Sequence, residues 1–374
     1  MHMIAAPADT VPGAFGRGIR ALTPNWFTVC MGTGIVSLTL ASFPYDFAGR
    51  LPLAHVLWAV TAVLFALLSV AFVLRAVLFP ETVGRLLRHP VQSMFLGAIP
   101  MGLAPVINGL SVFYGNRYAG LALNLWILDV VLSLLSGWVV PYYMFIHQDH
   151  SLDRMTGVWL LPIVASEVAA ASAGALAPHL APVLAKPVVL IGYLLWALSV
   201  PLAMGVLAVL FLRLVTHKLP PREMAISTWL ALGPIGTGAL GMLALGAAAP
   251  AALGPALAGW AAVANQAGLL LALLLWGYGL WWLLAAMMMT VHYVRHGLPF
   301  NMGWWGLTFP LGVYTGSTLV LSQRLQFAPL GITGAALALL LFALWAIVVI
   351  RTVRGLSQGQ LLVAPCLAAL GAQA

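Results

Sequence analysis

Ten stretches of apolar residues, separated by short polar or turn-rich connections, occupy most of the chain. Each has about 20 residues or more, enough for an α-helix to cross the hydrocarbon core of a bilayer. We place these spans at 24–42, 51–79, 90–112, 119–146, 156–178, 184–213, 223–248, 262–291, 301–322 and 330–351. The pattern predicts an all-α integral membrane protein whose ten transmembrane helices form five consecutive hairpins. Segments 1–23 and 352–374 flank this membrane domain, which covers 24–351.

Composition excludes an ordinary soluble enzyme. Only 6% of the 374 residues are charged, whereas about a quarter are charged in a typical soluble protein. The net charge of +8 comes from Lys and Arg scattered between apolar stretches, which indicates membrane topology rather than nucleic-acid binding. The two cysteines, Cys30 and Cys366, form no metal or redox spacing. We predict no metal, no cofactor and no disulfide.

Basic residues also predict the orientation. If the N-terminus is cytoplasmic, twelve of the sixteen Lys and Arg residues fall on the cytoplasmic side. Cytoplasmic loops carry such an excess in multi-pass proteins. We therefore expect both termini in the cytoplasm and the chain in the cell membrane, plasma or inner. Every odd-numbered span then runs outward.

The odd-numbered spans share an irregularity near their middles. The residues predicted to bend them are Gly32 and Gly34, Pro100, Pro162, Pro234 and Pro310. Proline removes a backbone hydrogen bond, and in lipid the freed carbonyl needs another partner. Close packing through small residues would explain any single case. Because the irregularity recurs in five parallel spans, we favour an inner ring of odd helices around a pore, with even helices facing lipid.

Such a pore would hold few charges. The polar residues predicted to line it are Thr33, Asn108, Thr237 and Thr308, and no Lys or Arg lies at mid-depth. Basic residues instead cluster at the predicted cytoplasmic ends: Arg85, Arg88, Arg154, Lys218, Arg222 and Arg295. A basic rim raises the local anion concentration, so this distribution favours an anion pathway. The same residues would also follow from topology alone.

Two acidic residues lie well inside spans, and burying them is costly. Glu167 follows Pro162 in an odd span and could accept a proton or gate the substrate. Alternatively, it is a neutral acid bound to backbone groups freed at the bend. Asp129 lies in an even span, where we expect a hydrogen bond to a neighbouring helix.

Four stretches, "PNWFTVCMGTGIVSL", "IPMGLAPVING", "LPPREMAISTWLALGPIGTGALG" and "FNMGWWGLTFPLGVYTGS", resemble the tellurite-resistance/dicarboxylate transporter family. The resemblance covers about 22–352. It implies ten helices in five hairpins, a pore lined by odd helices, and a homotrimer with one pore in each subunit. It also implies a pore-occluding phenylalanine on the ninth helix, which corresponds to Phe309 in "TFP".

Within that family, "SFPY", "PMGL", "KLPP" and "GPIGTG" look most like the sulfite-efflux branch. We therefore expect a non-enzymatic exporter of small anions, sulfite first, gated by Phe309. A proton-coupled carrier of C4-dicarboxylates such as malate is the alternative, and Glu167 departs from the small or apolar residue expected at its position. An intramembrane enzyme would need a nucleophile and base that the spans do not offer. A purely structural membrane protein would not need five broken spans.

Overall fold

The computed structural model describes residues 13–368, and this part of the chain is helical without a β-strand. Ten of its α-helices have 15 residues or more, and three are shorter. The helices are α1 Ala14–Ala21, α2 Phe27–Ala41, α3 Arg50–Leu78, α4 Glu81–Arg88, α5 Ala98–Tyr114, α6 Ala119–Ile146, α7 Leu161–Leu176, α8 Pro182–His217, α9 Leu232–Leu253, α10 Ala258–Arg295, α11 Phe309–Leu325, α12 Ala328–Ser357 and α13 Pro365–Ala368. The predicted flanking segments 1–23 and 352–374 lie partly outside the described residues.

Seven helical segments in the described part are long and apolar enough to cross a membrane. They are Arg50–Leu78, Gln92–Ile146, Gly157–His179, Pro182–His217, Arg222–Leu253, Pro255–Arg295 and Ala328–Ser357. The segment Gln92–Ile146 contains both α5 and α6. These segments are consistent with the predicted all-α integral membrane protein.

The long helices form two layers. Helices α2, α5, α7, α9 and α11 contact one another in chain order, and α11 returns to contact α2. Outer helices α3, α6, α8, α10 and α12 each pack against two neighbours in that ring. The two layers differ in burial. Of the most apolar 18 residues in each segment, 89% are buried in Gly157–His179 and 11% in Arg50–Leu78. The outer layer therefore exposes the apolar side chains that lipid would cover.

Each inner helix is preceded by a short 3-10 segment. These segments are Pro24–Trp26, Gln92–Gly97, Gly157–Leu160, Arg222–Ala231 and Met302–Leu307. They also contact one another in order, and the last contacts the first. All five therefore lie at the same end of the bundle, which we call the 3-10 face.

The four prolines predicted to bend the third, fifth, seventh and ninth spans lie in the first turn of their α-helices, which corrects the prediction of bends near mid-span. Pro162 and Pro310 are the second residues of α7 and α11, and Pro100 and Pro234 are the third residues of α5 and α9. Proline is tolerated in the first turn because its missing N–H would have no partner within the helix there. The irregularity is a change from 3-10 to α geometry.

Gly32 and Gly34 do not bend α2, which is helical without interruption from Phe27 to Ala41. A methyl group added at Gly34 would overlap Pro105 of α5, and one added at Gly32 would overlap Thr308 and Trp305. These glycines leave room for the Pro105, Thr308 and Trp305 side chains to pack directly against the backbone of α2. The predicted bend at Gly32 and Gly34 is therefore wrong, and the two glycines instead permit tight packing around α2.

Candidate functional site

A cavity of about 280 Å³, here called the vestibule, opens at the 3-10 face. Its wall includes residues from the beginnings of all five odd spans and from the C-terminal segment 360–365. Its polar residues are Asn25, Thr28, Gln92, Glu223, Ser227, Asn301 and Gln360. The Thr28 and Ser227 hydroxyls donate to the Asn25 and Met224 carbonyls, whereas the side-chain amides of Asn25, Gln92 and Gln360 have N–H groups that can donate to an anion.

A second space of about 20 Å³, here called the inner cavity, has an almost entirely apolar wall. Its lining residues are Met31, Met101, Leu160, Leu161, Val164, Leu230, Gly233, Pro234, Phe309 and Pro310. It again takes residues from all five odd spans, so it lies inside the ring. At this size it has room for about one water molecule.

Five residues line both spaces: Met31, Leu161, Leu230, Phe309 and Pro310. These residues form the boundary between the vestibule and the inner cavity. Phe309 has the largest side chain among them and is only 4% exposed. An apolar boundary of this kind excludes water and therefore opposes the passage of a hydrated ion.

Phe309 is held by the local structure around the start of α11. The Thr308 hydroxyl donates to the Trp305 carbonyl at 2.7 Å, and the amide of Gly312 donates to the Thr308 carbonyl at 2.8 Å. The buried Trp305 indole donates to the Thr352 hydroxyl of α12 at 3.1 Å. These bonds link the junction before Phe309 to an outer helix.

None of the four predicted polar lining residues lies in the wall of either cavity. Thr33 accepts a hydrogen bond from the Trp345 indole of α12 at 3.2 Å, so it faces the outer layer. Thr308 is buried and stabilises the start of α11. The Thr237 hydroxyl and Asn108 Oδ1 are buried without a hydrogen-bond partner among the described residues.

Sequence reasoning missed the polar residues that do line the vestibule, because it searched the middles of the spans. Asn25, Gln92 and Asn301 are the second, third and first residues of their predicted spans, within or beside the 3-10 segments. The signal that could have found them is a polar side chain within three residues of the start of each of these odd spans.

The predicted basic rim does not line the vestibule. Arg88, Arg154, Lys218, Arg222 and Arg295 are exposed and Arg85 is half-buried, but none belongs to its wall. The charged side chain in the wall, among the described residues, is Glu223. Of the predicted bend residues, Pro234 and Pro310 line the inner cavity, whereas Pro100 and Pro162 do not.

Glu167 is fully buried and lines neither cavity. Its Oε2 lies 3.1 Å from the Ser199 hydroxyl of outer helix α8, which is also 2.8 Å from the Ile163 carbonyl. A serine hydroxyl has one proton to donate. If it goes to Ile163, a protonated Glu167 would complete the arrangement by donating to Ser199. The position argues against direct contact with a substrate in either cavity.

Asp129 is 1% exposed, and neither carboxylate oxygen has a hydrogen-bond partner in the described part of the chain. The prediction that Asp129 forms a hydrogen bond to a neighbouring helix is therefore wrong. The nearby Trp126 indole donates instead to the Ala169 carbonyl at 2.9 Å. Within residues 13–368, no group of three His, Cys, Asp or Glu residues could hold a metal ion.

The family model for SLAC1, the voltage-dependent anion channel, matches residues 21–353. The chain belongs to this family. It is 37% identical over 339 residues to the sulfite efflux pump SSU1 of Arthroderma otae, covering 88% of this chain and 89% of that protein.

Two further relatives show the range of the family. An uncharacterized transporter of Methanocaldococcus jannaschii is 30% identical over 348 residues, 91% of this chain and 95% of that protein. The malic acid transport protein of Schizosaccharomyces pombe is 21% identical over 345 residues, 90% of this chain and 78% of that protein. The family and its relatives identify a multi-pass membrane protein of the transporter or channel class, not an enzyme.

Proposed function

We propose that this protein exports small anions, sulfite first, from the vestibule through the axis of the five-helix ring. The observation that carries this proposal is the apolar boundary between the vestibule and the inner cavity, where Phe309 acts as the gate. Movement of the Phe309 ring would join the two cavities. Ten helices in five hairpins, with the odd helices around the pore, are part of the same proposal.

The helix geometry supports anions over cations. The five inner α-helices begin at Phe27, Ala98, Leu161, Leu232 and Phe309, around the vestibule and the inner cavity. Each of these helices has the positive end of its dipole at the 3-10 face, which favours negative charge. The amides of Phe27, Ala98, Leu161 and Leu232 donate to carbonyls of the preceding 3-10 segments, so the attraction comes from the dipoles and not from free N–H groups. Five such termini would favour an anion without placing a fixed cation there. Weak attraction of this kind lets the ion leave again, which conduction requires.

Two observations favour sulfite over malate. The sulfite efflux pump relative shares 37% identity, against 21% for the malic acid transport protein. The lining of both cavities contains no Lys or Arg among the described residues, so it offers no pair of cations for two separated carboxylates. The alternative remains a proton-coupled C4-dicarboxylate carrier, which the malic acid relative and the buried Glu167 would suit.

The orientation and assembly are proposals as well. The excess of basic residues at the 3-10 face would place that face in the cytoplasm, so the vestibule would be the cytoplasmic entrance. We propose a homotrimer in the plasma or inner membrane on the basis of the family resemblance. Each subunit would then contain its own pathway.

The test is anion flux in proteoliposomes containing Phe309→Ala. We expect sulfite flux to rise by about tenfold for each 1.4 kcal/mol by which the apolar barrier falls. Phe95→Ala is the matched control, because Phe95 lines the vestibule but not the inner cavity, and its flux should stay close to wild type. Unchanged flux in a folded Phe309→Ala protein would remove Phe309 from the gate.

The same vesicles distinguish the substrates. Sulfite, malate and chloride are compared with an imposed potential and, separately, with an imposed pH gradient. Sulfite flux that follows the potential alone supports the proposal. Malate preference, with a dependence on the pH gradient that Glu167→Gln abolishes, would establish the dicarboxylate alternative.

A further inference from the structure

Arg75 is a buried cation outside the proposed pathway. It lies in the last turn of α3 and is only 2% exposed. Helices α4 and α13 pack against each other beside it, and Leu86, Ala364 and Cys366 form a small apolar cluster there. Arginine stays charged at all ordinary pH values, so a positive charge is enclosed at this place.

The described residues give this charge no carboxylate partner. The contacts of the guanidinium are Cys366 Sγ, 3.8 Å from Nη2, and the Phe72 ring, whose centroid is 5.9 Å away. Its Nε is buried without a hydrogen-bond partner in the part of the chain described. The nearby Glu81 pairs with Arg20 at 3.4 Å instead. A thiol is only a weak acceptor.

Arg213 shows how the same fold satisfies a buried guanidinium. It is 3% exposed in the last part of α8. It donates to the Asp153 carbonyl at 2.7 and 3.2 Å and to the Lys218 carbonyl at 2.6 Å. Arg75 has no comparable set of carbonyls. Leaving a buried charge uncompensated is strongly destabilising. Arg75 therefore needs a counter-charge that residues 13–368 do not supply.

A cavity of about 130 Å³ lies against Arg75. Its walls are Phe72, Arg75, Ala76, Thr82, Val83, Leu86, Leu87 and Leu96. Among the described residues of this wall, only Arg75 and Thr82 have polar side chains, and none is shared with the vestibule or the inner cavity. A space of 10–15 Å³ by this measure holds one water, so a compact oxyanion fits here.

We propose that this cavity is a second anion site, separate from the pathway, in which Arg75 binds one compact oxyanion. The guanidinium fork matches two oxygens of sulfite, sulfate or phosphate and binds them with charge-assisted hydrogen bonds. The oxyanion could be a free ion or the phosphate of a lipid headgroup. Cys366 contacts Arg75 while the adjacent Pro365 lines the vestibule. An oxyanion bound at Arg75 would therefore affect the position of the C-terminal segment that borders the proposed entrance.

The thiol of Cys366 reports on this site directly. In a full-length Cys30→Ser protein, Cys366 is the single cysteine, and its alkylation by neutral iodoacetamide can be timed in detergent. We expect millimolar sulfate, at constant ionic strength, to slow alkylation at least threefold and saturably. Arg75→Gln should abolish the sulfate effect, and Arg75→Lys should keep part of it. Arg85→Gln is the matched control and should respond like the parent protein.

Two further results complete the test. If a lipid phosphate is the bound oxyanion, sulfate protection appears only after delipidation, and native mass spectrometry finds a phospholipid that Arg75→Gln loses. Sulfate protection without delipidation identifies a free ion. The proposal is overturned if sulfate has no effect before or after delipidation, or if it protects Arg75→Gln equally well.

Discussion

Substituting Gly236 by alanine tests the packing of the inner ring. A methyl group at this position would lie 2.6 Å from the backbone nitrogen of Tyr314 and 2.9 Å from its Cα. Carbon atoms prefer about 3.5–4.0 Å, so α9 and α11 would have to separate by roughly 1 Å. Tyr314 cannot easily yield, because it is fully buried and its hydroxyl donates to the Trp276 carbonyl at 2.8 Å.

Overpacking of this kind costs about 1–3 kcal/mol, and the helix propensity of alanine returns at most about 1 kcal/mol of it. Gly277→Ala is the matched control in α10, because a methyl group there meets nothing within 4 Å. It should therefore be neutral or stabilising. Since both variants gain the same helix propensity, Gly236→Ala should be less stable than Gly277→Ala by about 1–3 kcal/mol.

Thermal unfolding of the two variants in detergent, with size-exclusion chromatography to confirm the folded state, measures the difference. Gly236→Ala should unfold at a lower temperature than wild type, and Gly277→Ala at the same or a higher temperature. If the two variants are equally stable, α9 and α11 are not in close backbone contact at Gly236.

Two other predictions concern the vestibule and its edge. Glu223→Gln should raise sulfite flux about twofold at low salt, because one charge at roughly 10 Å in water contributes about 0.4 kcal/mol. The gain should shrink in high salt, and a gain that does not depend on salt would contradict the electrostatic reason. The control is Glu81→Gln, which lies outside the vestibule and should not change the flux. His89 Nδ1 accepts the amide hydrogens of Val91 and Gln92 at 3.2 and 3.1 Å, and burial lowers the pKa of His89 below its ordinary value. Because the unfolded chain then binds the proton more readily, the free energy of unfolding should fall as the pH drops below about 6.5. In His89→Asn, the unfolding temperature should depend less on pH between pH 5 and 7 than in the wild type. If the unfolding temperatures of the two proteins change with pH in the same way, His89 does not titrate on unfolding.

The positions of the long helices could be predicted well because a membrane-spanning helix needs a long, continuous stretch of apolar residues, which is visible in the sequence. The predicted span 119–146 coincides with α6, and 51–79 differs from α3 by one residue at each end. Helices α8 and α10 extend several residues beyond the predicted spans 184–213 and 262–291. An apolar stretch reports the hydrocarbon thickness, whereas the helix continues into its polar ends.

Side-chain direction could not be predicted in the same way. Thr33 lies in an inner helix, yet it faces Trp345 of α12, and Glu167 faces Ser199 of α8. An inner helix presents one side to the axis and the other to the outer layer, and successive residues differ in direction by about 100°. The odd spans are apolar around their whole circumference, so the sequence does not show which side of each helix faces the axis and which faces the outer layer. Phe309 was found by family resemblance, and periodicity alone would not have singled it out.

The junctions between 3-10 segments and α-helices explain why the missed polar residues and Phe309, the proposed gate, occur at one level. A proline near the start of an α-helix leaves a clear mark in the sequence, but the preceding 3-10 segment does not. Asn25, Gln92 and Asn301 lie in or beside those segments, where tighter turns replace the regular α-helix. The vestibule ends where the α-helices begin and Phe309 stands. A change of helix type at five equivalent positions therefore sets the polar entrance, the apolar boundary and the helix N-termini within one layer, and anion attraction and closure would act at the same place.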